Sequence, residues 1–258
     1  MKSFISTLKY TTFTLLLFVL LTNCEKSSDV PGSLPGDNGQ GGSLARFAFI
    51  GNNMYVVNSK KLKTYNVTDP ANPLLVSEIN VGESVETIFP MEDKLFIGSQ
   101  GGMIIYEIRE NGEPALVSSY EHVTSCDPVV ANHDYAYVTL NSGTQCRQWS
   151  DLNSLDIISL QDISHPSLVQ SYQLESPLGL GLDGNILFVC EEGFGLKVFD
   201  VSNPNNIVLL KTMPDYHARD VIILENKKLL LLTPENVIQL DYQNLEDIKK
   251  LSEIPVQV

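Results

Sequence analysis

Positive charge is scarce in this sequence: 17 lysines and arginines stand against 31 aspartates and glutamates in 258 residues, for a net charge of −14. So acidic a surface repels phosphate backbones and anionic headgroups, which argues against nucleic-acid binding and against peripheral docking on acidic lipid. Helical periodicity is missing as well. No window of ten or more residues repeats apolar positions at helical spacing, apart from a weak stretch at Leu245–Leu251 that reads better as a final strand. No Gly-x-Ser-x-Gly elbow and no Walker-type phosphate loop occurs, so two common hydrolase mechanisms have no anchor in the chain. Gly179-Leu180-Gly181 is flanked by strand residues and does not open a helix, so it reads as a close backbone approach and not as a dinucleotide site. His122, His133, His165 and His217 share no spacing that suits a metal.

What is present begins at the N-terminus. Lys2 and Lys9 give a positive start, and Phe13 to Leu21 form a short apolar run, too short to span a bilayer. Leu21-Thr22-Asn23-Cys24 then resembles a lipobox, with Asn23 where a smaller residue is usual. The expectation is a lipoprotein signal over residues 1–23 and lipid attached to Cys24; the alternative is a plain signal or anchor with Cys24 incidental. Glu25 hints at the outer membrane as the destination. Residues 24–43 are Gly, Ser, Pro and Asp with almost nothing apolar, and cannot form a core. They read as a flexible tether reaching about 25 Å. Removing residues 1–23 takes away two lysines and leaves a mature charge of 15 minus 31, or −16.

From Leu44 onward the chain repeats itself. An alternating strand ends at Val67, Ile108, Leu160, Val201 and Tyr242, at spacings of 41, 52, 41 and 41 residues. The one long interval contains a polar insertion, Thr139 to Asp151. Each period holds four short β-prone runs, illustrated by Ala218–Leu224, Lys228–Thr233, Asn236–Tyr242 and Ile248–Ile254. Gly51-Asn52-Asn53 and Asp183-Gly184-Asn185 suit tight hairpins, and Asp69-Pro70 and Asn203-Pro204 suit type I turns. Four strands per ~41 residues is the size of a propeller blade. Residues 44–258 are therefore expected to form a single all-β domain, a five-bladed β-propeller, in which the first and last blades pack against each other to hide the terminal faces if Leu44 to Ile50 is the innermost strand of blade one; with an offset register that strand would instead complete the last blade.

The strand and turn Lys197-Val198-Phe199-Asp200-Val201-Ser202-Asn203-Pro204, with Leu155-Asp156-Ile157-Ile158 leading to Pro166, resembles the LVIVD-repeat family. That resemblance implies a bacterial envelope propeller and no particular reaction.

Three cysteines remain besides Cys24. Cys126 opens the third blade and Cys146 lies in the loop after the next strand, positions that a hairpin brings close, so a Cys126–Cys146 disulfide is expected in an oxidising envelope, with two free thiols as the alternative. Cys190, in an apolar run, reads as a small core residue. The inserted loop carries Arg147 beside Trp149, a pairing suited to recognition, or else Trp149 folds back over an edge of blade three. The repeat register also aligns Glu86, Asp127 and Asp220 at the starts of innermost strands, from which they would converge on the axis. There they could bind Ca²⁺ or act as a glycosidase pair; the competing role is to accept hydrogen bonds from strand ends. The function this favours is a lipid-anchored binding module for a protein or glycan partner, without catalysis or cofactor. A carbohydrate-active or calcium-binding protein is the runner-up.

Overall fold

The computed structural model describes residues 41–99, 101–121, 128–141 and 153–256. Every regular element in them is a strand, so no described helix is long and apolar enough to cross a membrane. Blade one comprises β1 (Phe47–Ile50), β2 (Asn53–Val57), β3 (Lys61–Asn66) and β4 (Leu74–Asn80). Blade two comprises β5 (Val85–Met91), β6 (Lys94–Ser99), β7 (Gly102–Ile108) and β8 (Pro114–Glu121). Blade three holds β9 (Val129–Ala131), β10 (Tyr135–Leu140), β11 (Ser154–Ser159) and β12 (Ser167–Gln173), so the first residues of the inserted segment, Thr139 and Leu140, finish a strand. Blade four holds β13 (Pro177–Asp183), β14 (Ile186–Glu191), β15 (Gly195–Asp200) and β16 (Val208–Met213). Blade five holds β17 (Asp220–Leu224), β18 (Lys228–Leu232), β19 (Asn236–Asp241) and β20 (Lys249–Pro255). Each blade is an antiparallel sheet contiguous in sequence, and the whole is a five-bladed β-propeller.

Local chemistry explains the hairpins. Gly51 and Gly184 have φ of 56° and 60°, which lets two residues join β1 to β2 and β13 to β14 with the twist of the flanking strands. Blade five replaces glycine with Asn226 and Lys227 at φ of 57° and 55°, and needs one more residue to make the turn. A register shift recurs between the third and fourth strands of every blade, just before Tyr65, Tyr106, Ile158, Phe199 and Leu240. Those positions repeat the 41, 52, 41, 41 spacing of the sequence. A bulge of this kind bends the strand and adds local twist.

Apolar residues on both faces of the inner strands form the core. In β14, Phe188 and Cys190 pack toward blade five, while Leu187 and Val189 pack toward blade three. Cys190 is fully buried and unpaired, and burial pushes its thiol well above the usual range, so it behaves as the core residue that its apolar surroundings predict. Side-chain hydrogen bonds reinforce the packing. Tyr55 donates to Gly112 O at 3.0 Å, Ser118 to Ile163 O at 2.6 Å and Tyr172 to Pro204 O at 2.8 Å. Between blades four and five, Tyr242 donates to Asp183 Oδ2 at 2.9 Å, with its ring edge-on to Phe188 at 4.9 Å. A Tyr242→Phe variant keeps the ring contact and loses one charge-assisted bond. It is expected to lower stability by about 1–2 kcal/mol, read as a drop in urea midpoint at unchanged slope. An unchanged midpoint would remove that bond from the account.

The closing interface differs from the other four. Buried apolar clusters join blades one and two, two and three, three and four, and four and five. Among the described residues no such cluster joins blade five to blade one. Blade five turns Val221, Ile223, Leu229 and Leu231 toward blade four, so strand alternation sends Ile222, Leu224, Leu230 and Leu232 to its free face, where they are half-buried. Blade one turns Ala48, Tyr55 and Val57 toward blade two, which leaves Phe49, Met54 and Val56 half-buried and Phe47 54% exposed. The expected packing of first blade on last is therefore corrected: the two apolar faces border a cleft, and the ring is tied shut near its axis by hydrogen bonds instead.

Candidate functional site

Two features meet at the axial end of the last blade: a buried carboxylate, Asp220, and the cleft between blades five and one. Asp220 is the first residue of β17 and is 5% exposed. Its carboxylate reaches toward the residues just before β1. Ser43 Oγ donates to Asp220 Oδ1 at 3.0 Å and Leu44 N donates to Oδ2 at 3.3 Å. Ser43 Oγ in turn accepts from Leu180 N of blade four at 2.7 Å, and Ala45 O accepts from Ile88 N of blade two at 2.9 Å. Four residues, Gly42 to Ala45, thus connect blades two, four and five across the axial end of the ring. Ser43 is 1% exposed, so the stretch assigned to a tether by its polar composition already belongs to the packed domain at its last residues. Composition alone could not show this, because what buries Ser43 is its partners from distant blades.

Local geometry makes room for this junction. A register irregularity between Pro177 and Leu180 frees the start of β13 from pairing with β14. Its backbone groups are taken up by neighbours instead: Thr139 Oγ1 donates to Leu178 O at 2.6 Å, Asn141 Nδ2 donates to Pro177 O at 2.7 Å, and Gly179 N donates to Arg219 O at 2.9 Å. A Cβ on Gly179 would lie 2.2 Å from Asp220 Oδ1 and 2.8 Å from Arg219 O, and one on Gly42 would lie 2.1 Å from Asp220 Oδ2. Only glycine lets both segments close on the carboxylate, which is the close approach read from Gly179-Leu180-Gly181. Burial pushes the Asp220 carboxyl up to about 6, because removal from water outweighs the bonds from Ser43, Val221 and Leu44 that favour the charge.

A second buried carboxylate lies at the end of β14. Glu191 is fully buried, its Oε1 accepts from Glu175 N at 3.2 Å, and Lys197 Nζ of the adjacent strand lies 2.5 Å from Oε2. Sequence reasoning missed this pair. The signal was a glutamate closing the apolar run Ile186 to Cys190, with a lysine diagonally across the next strand, where Val189 faces Lys197 in the ladder.

Of the three axial acids, Glu86 is the second residue of β5 and half-buried, Asp220 is the junction just described, and Asp127 lies outside the described residues. Among the described residues no group of three or more His, Cys, Asp or Glu is arranged to hold a metal ion. Cys24, Cys126, Cys146, Arg147 and Trp149 also lie outside the described residues.

The cleft has a volume of about 560 Å³. Leu44, Phe47 and Phe49 line it from the side of blade one, and Ile222 and Leu232 from the side of blade five, with Arg219, Asp220 and Thr233 as its polar groups.

Fold and repeats together define an all-β propeller built from five like blades. Residues 179–214, the whole of blade four beyond its first two residues, match the LVIVD repeat, so one blade of this five-bladed β-propeller carries that repeat. Solved structures similar to it are propeller relatives at low identity. A functionally unknown protein from Desulfotomaculum acetoxidans is 12% identical at a TM-score of 0.64, over 86% of this chain and 70% of that one. The periplasmic gluconolactonase of Pseudomonas aeruginosa is 14% identical at 0.60, over 80% and 69%. AztD from Citrobacter koseri is 12% identical at 0.57, over 83% and 61%. At such identities the likeness extends to the fold alone. No curated protein matches the sequence.

Proposed function

We propose that this protein is a lipid-anchored component of the bacterial cell envelope whose propeller is a non-catalytic binding module for a protein partner, engaged through the outer strands of its blades. The observation that supports this reading is a repeated apolar position on the rim. Leu75, Leu116, Leu168 and Leu209 sit at the same place in the ladder, directly after the recurrent bulge. They are 56%, 66%, 47% and 50% exposed, and Leu74, Val208 and Leu210 extend the apolar surface beside them. Single exposed leucines are ordinary, but four at one register position, each on a strand with a free edge, make a surface suited to an extended apolar segment of another protein. Blade five has Lys250 at this place, so the surface is interrupted once around the ring.

The runner-up, a carbohydrate-active or calcium-binding protein using Glu86, Asp127 and Asp220, is less well supported because both oxygens of Asp220 already accept bonds from the chain itself. Envelope location and lipid attachment rest on the leader and Cys24. Fractionation and mass analysis of the mature N-terminus test them: a lipid mass on Cys24, absent in Cys24→Ala, is the expected result. For binding, crosslinking in intact cells should join the wild-type chain to a discrete protein. Leu75→Ser/Leu116→Ser/Leu168→Ser/Leu209→Ser should remove that product while keeping the melting temperature within a few degrees. A product that survives all four changes would move the contact elsewhere, and capture of glycan by the same variant would favour the glycan reading.

A further inference from the structure

We propose that the cleft between the first and last blades is a binding site for a long-chain carboxylic acid, its alkyl chain held between the two sheet faces and its carboxylate on Arg219. The four other inter-blade spaces are filled by side chains of the same kind on the same faces; Leu187, Val189, Leu229 and Leu231 are fully buried there. In the fifth space the equivalent apolar surface borders an opening of about 560 Å³, within the size range of small-molecule sites. Water in such a slot meets apolar walls on both sides, Phe47 and Phe49 against Ile222 and Leu232, so an alkyl chain replaces it favourably.

The polar groups of the cleft select the head. Asp220 has Oδ1 and Oδ2 engaged by Ser43 and Leu44. Thr233 Oγ1 donates to Asn236 O and accepts from Asn236 N and Glu235 N, so its hydroxyl is committed to its own turn. Arg219 is the remaining polar side chain of the lining. It is exposed, and its guanidinium forms no ion pair among the described residues. In a chain of net charge −14, a guanidinium with no ion-pair partner among the described residues, set beside an apolar slot, suits a single negative charge. A carboxylate carries one, whereas a phosphate monoester carries nearly two.

The test uses the full-length chain with Cys24→Ala, so that no covalent lipid competes, and cis-parinaric acid as a fluorescent probe. Saturable binding at one probe per chain, displaced by dodecanoate at least tenfold more effectively than by dodecanol, is expected. Arg219→Gln should weaken probe binding about tenfold and erase the preference for acid over alcohol. Phe47→Asp, at a position already open to water, should abolish binding with its circular dichroism and melting temperature retained. The absence of saturable binding, or binding unchanged in both variants, would overturn the proposal. Displacement by lysophosphatidylcholine as effective as by dodecanoate would overturn the assignment to a free acid and point to a membrane lipid.

Discussion

A Lys197→Met variant is expected to lose about 3–5 kcal/mol of stability, the cost of leaving a buried carboxylate without its counter-charge. Glu191 has no exposed surface and Lys197 is largely covered, so water cannot take over the role of the ammonium group. The change preserves the length and apolar stem of the side chain, so a large effect isolates the charge from the packing. The double variant Glu191→Met/Lys197→Met should recover most of the loss, since exchanging a whole buried pair for apolar residues is often neutral. Chemical denaturation of these two variants, of Glu191→Met alone and of the wild type gives the coupling directly. A single variant within about 1 kcal/mol of wild type would show that the pair is far less buried in solution than it is here.

The second large effect concerns the pH dependence of Asp220. Its folded-state value of about 6 lies above the ~3.9 of an unfolded aspartate, so the folded protein holds the proton more tightly. Below pH ~4 both states are protonated and the contribution to stability is complete. Between pH ~4 and ~6 the unfolded chain ionises while the folded one resists, and stability falls by about 3 kcal/mol as pH rises through this window. Asp220→Asn removes the titration. Its own defect is an amide group turned toward Leu44 N in place of an accepting oxygen, worth about 1–2 kcal/mol. The variant should therefore be less stable than wild type at pH 4 and equal to it or more stable at pH 7.5, with the two curves crossing between. Thermal or urea melts across that range measure the difference, in which all other titrating groups cancel. A difference that stays constant with pH would mean that Asp220 is solvated and that the Ser43 junction is open.

These two sites show how closure of the ring depends on polar chemistry in one place and on apolar burial elsewhere. Four interfaces are closed by interlocking Leu, Ile, Val and Phe. The fifth relies on Ser43 and Leu44 reaching Asp220, with Ser43 also holding Leu180 N. Loss of the Asp220 contacts would leave the first blade joined to the ring chiefly through blade two, which makes the cleft the natural place for the domain to open.

The repeats, the four strands per blade, the hairpin glycines and the burial of Cys190 were all legible in the sequence, because each depends on residues close together in the chain. Alternation of apolar side chains with turn residues sets strand length and face, and recurrence at 41 residues sets the number of blades. The open seam was not legible. Ile222 and Leu232 on one side and Phe47 and Phe49 on the other look like any other inward-facing residues, and whether two such faces meet depends on the wedge angle accumulated over all five blades. Ser43 and the Glu191–Lys197 pair were hidden for a related reason: a polar residue reads as exposed until a partner from another strand or blade covers it. Local spacing thus determined the blades of this protein, while the point at which the ring closes, and the groups that close it, were decided only when residues 137 to 177 positions apart were brought together in space.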